Sequence, residues 1–111
     1  MKQAAIYVRC VRPDASSQEQ KSACLQAAAL HGFEVSEEHV FTDHGVSGLR
    51  VRHRSGLSAL RKTLKDESME AVVLQDLSRL SRDIRQLAGL LREFEEKGVR
   101  VIEVGRGECR R

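Results

Sequence analysis

Cysteine is scarce in this chain and badly placed for structural chemistry. Cys10, Cys24 and Cys109 are an odd set with no Cys-x-x-Cys spacing. A disulfide framework and a zinc site are therefore not expected. The four histidines, His31, His39, His44 and His53, are scattered and form no ligand set. Long apolar runs are missing as well, which argues against a signal peptide and a membrane span. Internal repeats and low-complexity segments are absent. These absences fit a protein of a reducing cytosol, with no zinc site and no membrane span.

What is present is an ordinary globular balance, with 41% hydrophobic and 32% charged residues over 111 positions, enough for one modest core. The net charge of +3 is only mildly basic. Its placement says more. Arg9 and Arg12, then Arg50, Arg52 and Arg54, then Arg79, Arg82 and Arg85 form three short clusters. A planar guanidinium suits phosphate better than an ammonium does. A solvated surface is the plain alternative for any one of them.

The periodicity yields alternating elements. Ala4–Val8 reads as a strand. Ser16-Ser17-Gln18-Glu19 has the form of a capping box. A helix should follow it to about His31, with Ala23, Ala27 and Leu30 on one face and Gly32 closing it. Val40–Thr42 reads as a strand and Asp43–Ser55 as a long loop. Gly56–Asp66 should be a helix with Leu57, Leu60 and Leu64 inward, and Ala71–Leu74 a buried strand. Ile84, Leu87, Leu91 and Phe94 recur at helical spacing, so Ile84–Lys97 should be a helix ended by Gly98, and Val99–Val104 the last strand. This order predicts an α/β fold: a mostly parallel central sheet of four to five strands flanked by helices, within one domain. Ligands of such sheets lie beyond the carboxyl ends of the strands. Arg9, Asp43 and the segment Asp76–Arg82 all follow strands on that rim. Several guanidiniums at one rim call for an anion rich in acceptor oxygens, and a phosphodiester is one.

The motifs "YVR" with Gln20 eleven residues on, "FTDHGVSG", "RSGL" and "LSRLSRD" stand in this order. Together they resemble the catalytic domain of the serine recombinases, the resolvases, invertases and serine integrases, from about Ala4 to Val104. The resemblance implies a resolvase-like fold, DNA as partner through its phosphodiester backbone, and transesterification without metal or cofactor. A serine hydroxyl attacks the phosphodiester, and arginines hold the phosphate. The arginines would match Arg9, Arg54, Arg79 and Arg82, the acid Asp43 and the glutamine Gln20. Two positions depart from the pattern. Ser78 stands where the family often has aspartate, although some of its integrases also carry serine there. Val11 stands where the nucleophile is expected.

Alternation along the strand places Tyr7, Arg9 and Val11 on one face and Val8 and Cys10 on the other. Cys10 then points away from Arg9 and reads as a small buried residue. Ser16 and Ser17 are the candidates for a displaced nucleophile, Ser16 being also a natural helix cap. Ser47 and Ser81 lie further off. Each candidate has a plainer role open to it. Arg79 and Arg82 can pair with Asp76 and Asp83, Gln20 can be an exposed helix residue, and Asp43 can cap a loop. Tyr7 reads as packing.

Members of the family continue into a long dimer helix and a DNA-binding domain, neither of which this sequence contains. The expectation is thus a site-specific recombinase catalytic domain, impaired at residue 11, homo-oligomeric in a full-length context and weakly associating or monomeric by itself. The alternative is a non-enzymatic remnant of the fold that binds protein partners or DNA weakly.

Overall fold

A computed structural model describes residues 2–10, 15–44, 55–66, 68–105 and 107–108. Its centre is β1 (Lys2–Cys10), buried without a break from Ala4 to Cys10. A strand covered on both faces must be apolar on both, so its sequence runs Ala, Ala, Ile, Tyr, Val rather than alternating with polar residues. β2 (Phe33–Glu34) and β3 (Val40–His44) follow each other along one edge of β1. β4 (Ala71–Leu74) lies along the other edge, and β5 (Arg100–Glu103) beyond it. These strands are parallel, and the two-residue β6 (Gly107–Glu108) adds an antiparallel margin. The fold is the expected α/β one, with two short strands that the periodicity did not reveal. Two residues give too little pattern to read.

The helices take opposite faces. α1 (Ala15–Leu30) packs Cys24, Ala27 and Ala28 against Ala4, Ile6, Val8 and Cys10. α2 (Ser55–Asp66) and α3 (Ile84–Glu96) pack Leu57, Leu60, Leu64, Leu90 and Phe94 against Ala5, Tyr7, Val72 and Leu74. Gly32 and Gly98, at φ 80 and 74, end α1 and α3 in the left-handed conformation that glycine adopts without strain. Among the described residues no helix is long and apolar enough to cross a membrane.

Three expectations are corrected. The inward face of α1 runs through Cys24, Ala27 and Ala28, and Leu30 is 88% exposed. The helix approaches the sheet through small residues, while Phe33 fills the base of that core. In α3 the buried pair is Leu90 and Phe94, and Ile84, in the first turn, is 83% exposed. Ser16 falls inside the first turn of α1, which begins at Ala15, so it is not the residue before the helix that an N-cap must be.

Candidate active site

The chain leaves β1 for the β2/β3 edge, then returns to lay β4 and β5 on the other side. The strand order therefore reverses at β1, and the crevice beyond β1 and β4 is where a doubly wound sheet binds its ligand. β1 pairs with β4 only from Ala4 to Ile6, so on that side its last residues run on past the ladder. The turn after β4 meets them there.

Arg9 is 4% exposed. Its Nε donates to the Arg79 carbonyl at 2.9 Å and its Nη2 to the Ser78 carbonyl at 2.5 Å. The contact is returned, because Arg79 Nη1 donates to the Arg9 carbonyl at 3.2 Å. Gln20, buried on α1, reaches the same carbonyl with its Nε2 at 3.4 Å and Cys10 Sγ at 3.0 Å. Two cationic side chains from segments seventy residues apart are thus knotted through each other's backbone. The positive charge of Arg79 extends to Cys24 in the α1-side core. Burial still dominates there and pushes that thiol up to about 12, so Cys24 stays protonated and unreactive. Gln20 is no exposed helix residue. It ties the start of α1 to the end of β1.

Asp43, which pairs with Arg9 across the β1–β3 ladder, is 4% exposed. Its Oδ1 accepts the Gly56 N–H at 2.7 Å, and its Oδ2 accepts the Leu57 N–H at 3.0 Å and the Tyr7 hydroxyl at 2.6 Å. The carboxylate caps α2 by satisfying two of its orphan donors. Gly56 is needed for this approach, since a Cβ there would lie 2.6 Å from the Thr42 carbonyl oxygen. Asp43 lies in β3 rather than in a loop, and Tyr7 is a hydrogen-bond donor as well as a packing residue.

The remaining candidates lie apart or out of view. Arg82 is exposed on the segment leading to α3. Ser17 is half-buried and lines a cleft of about 360 Å³ with Val8, Lys21, Glu37 and Thr42, on the α1 side of β1, whereas alternation directs Arg9 to the other side. Ser81 is buried, and its hydroxyl accepts the Asp83 N–H at 3.0 Å. Val11, Arg54, Ser47 and the side chain of Ser16 lie outside the described residues. Among the described residues no group of three or more His, Cys, Asp or Glu side chains could hold a metal ion. Sequence reasoning missed Tyr7 as a donor and Asp76 as a turn former. Asp76 was legible, because an Asp two residues ahead of a Ser N–H is a common turn signature.

The sheet reverses its strand order at β1, and Arg9 and Arg79 interlock at that switch point of an α/β domain. The family described as "Resolvase, N terminal domain" matches residues 4–108, and the chain belongs to it. A resolvase/recombinase from Pseudomonas putida is 39% identical over 85 residues, covering 77% of this chain and 45% of that protein. The transposon Tn3 resolvase of Escherichia coli is 35% identical over 85 residues, covering 77% and 44%. The chain thus spans less than half the length of these relatives. Among solved structures, the N-terminal catalytic domain of TP901-1 integrase superposes with TM-score 0.83 at 25% identity, over 96% of this chain and 80% of that one. The C-terminal catalytic domain of ISC1926 TnpA, an IS607-like serine recombinase, does so with TM-score 0.82 at 27% identity, over 92% and 70%.

Proposed function

We propose that the chain is the catalytic domain of a site-specific DNA recombinase that cleaves and exchanges strands by transesterification, impaired because Val11 stands at the position of the nucleophile. The observation that carries this reading is the Arg9–Arg79 knot at the carboxyl end of β1. Both guanidiniums are thereby anchored at the carboxyl end of β1, where a sheet of this kind binds its ligand. Carbonyl oxygens and the Asp76 carboxylate lie beside them, and phosphate is the anion whose geometry a guanidinium fork matches.

In the reaction, a hydroxyl oxygen forms a bond to phosphorus and the 3′ oxygen departs, taking a proton. Charge grows on the non-bridging oxygens, where preorganised guanidiniums act most strongly. Arg9 and Arg79 would hold the phosphate, with Arg54 and Arg82 closing on it. Gln20 would fix the end of β1, next to residue 11. Asp43 would set the start of α2, whose first residue, Ser55, follows Arg54 directly. Recombination joins two DNA sites, so the whole protein would act as a homo-oligomer.

The test joins this domain to the dimerisation and DNA-binding parts of a relative and offers a suicide DNA substrate on a denaturing gel. Val11→Ser should capture DNA 5′ ends covalently, and the valine parent should capture none. Capture by the parent that is lost in Ser16→Ala or Ser17→Ala would move the nucleophile to the displaced serine. If Val11→Ser stays inert while folded and DNA-bound, the non-enzymatic reading stands.

A further inference from the structure

Asp76, the turn former after β4, has no step in the reaction proposed above, yet it touches the turn that receives Arg9 and the side chain of Arg79. It follows β4 by two residues in extended backbone, at φ −159 and ψ 167, and caps the 3₁₀ turn Leu77–Arg79. Its Oδ1 accepts the Ser78 N–H at 3.0 Å and also the Ser78 hydroxyl. Its carbonyl accepts the Arg79 N–H at 3.1 Å. Its Oδ2 lies 3.7 Å from Arg79 Nε. The carbonyls of the two residues gripped in this way, Ser78 and Arg79, are those that receive the Arg9 guanidinium.

We propose that Asp76 is a positioning residue for both arginines. It fixes the turn whose carbonyls aim Arg9, and it holds Arg79 at the root of its side chain. The consequence for phosphodiester binding rests on the function proposed above.

Two readings of this carboxylate compete, and they differ in sign. As a counter-ion, Asp76 would dampen the positive potential of the rim, and its removal would strengthen anion binding. As a positioning residue, its removal would weaken anion binding even though the net charge rises. The geometry favours positioning. The ion pair is long, at 3.7 Å, and the Asp76 side chain is 44% exposed, so the pair by itself holds Arg79 weakly. The bonds to Ser78 are local, and a three-residue 3₁₀ turn depends on its cap. Ser78 matters here through its backbone first. Its hydroxyl is a second bond to the same oxygen.

The decisive measurement needs no DNA. In the 15N-labelled domain, exchange of the Arg9 Nε–H with water reports how firmly the turn carbonyl holds it. Asp76→Ala should speed that exchange roughly tenfold or more, Asp76→Asn, which keeps the acceptor oxygen, no more than about twofold, and Ser78→Ala by about threefold. Circular dichroism confirms that each variant is folded. Unchanged Arg9 exchange in folded Asp76→Ala would overturn the proposal. A second arm measures a short DNA duplex at low salt, where Asp76→Ala should bind about fivefold more weakly. Tighter binding would make Asp76 a counter-ion and also overturn the proposal. If Arg9→Ala leaves DNA affinity unchanged, the phosphodiester reading fails, and the exchange result still decides the role of Asp76.

Discussion

Asp43 shows how far one side chain can serve two purposes. Its two oxygens take three donors, from β1 and from the first turn of α2, so it joins elements of different origin at one buried point. Removing it orphans a hydroxyl and two helix N–H groups. Asp43→Ala should therefore cost about 3 kcal/mol, as a lost cap plus unsatisfied buried donors. Tyr7→Phe removes one of the three bonds and should cost about 1 kcal/mol. In a double-mutant cycle read by urea denaturation, Tyr7→Phe should cost less in the Asp43→Ala background than in the parent. Strict additivity would show that the 2.6 Å bond contributes nothing. The sequence placed Asp43, Arg9 and Arg79 on one rim through strand ends alone. It could not show which groups satisfy them. That depends on distances between segments from thirteen to seventy residues apart, and a lone Tyr before an Arg carries no signal of its partner.

At the scale of elements, legibility followed periodicity. α2 and α3 present leucines at helical spacing, and their spans agree with the pattern to within a residue. α1 carries alanines on several sides, so its inward face is fixed by which small residues let it approach the sheet. No hydrophobic stripe marks that face. α2 and α3, side by side on one face, are also clamped at their surface. Arg61 grips Glu93 in a bidentate pair at 2.9 and 2.6 Å, and Lys97 adds a contact at 3.4 Å. The Arg61 hydrogen bonds hold the Glu93 carboxyl below its ordinary value of 4.5. A carboxyl with a depressed folded pKa stabilises fully above its ordinary value, and that contribution is lost as pH falls through the folded pKa. The pair is partly exposed, at 41% and 26%, so its worth is about 0.5–1 kcal/mol. Glu93→Gln should be less stable than the parent by that amount near neutral pH. The gap should narrow as pH falls below 4.5 through the lowered folded pKa, and narrow in molar salt. A gap that persists unchanged at pH 3 would assign the effect to packing.

On the function proposed above, the described part of the molecule would meet DNA through its arginine rim. The chain's net charge is +3, and on that reading the rim arginines would meet phosphate, a contact that positions a protein on DNA without reading its sequence. Reading bases requires an element seated in a groove, and the described elements form one sheet with helices lying flat on its faces. Binding by this domain should then be the electrostatic, sequence-independent kind. Three or four phosphate contacts predict a slope of about −3 in a plot of log K against log salt. They predict dissociation constants weaker than about 1 μM at physiological salt, as for non-specific binding in general. Arg79→Ala and Arg82→Ala should each flatten the slope by about one and weaken unrelated duplexes equally. Fluorescence anisotropy over a salt series, with two duplexes of different sequence, measures all of this. A nanomolar complex with one duplex and not the other would mean that this domain carries base readout of its own, and the rim would then be the lesser part of its DNA surface.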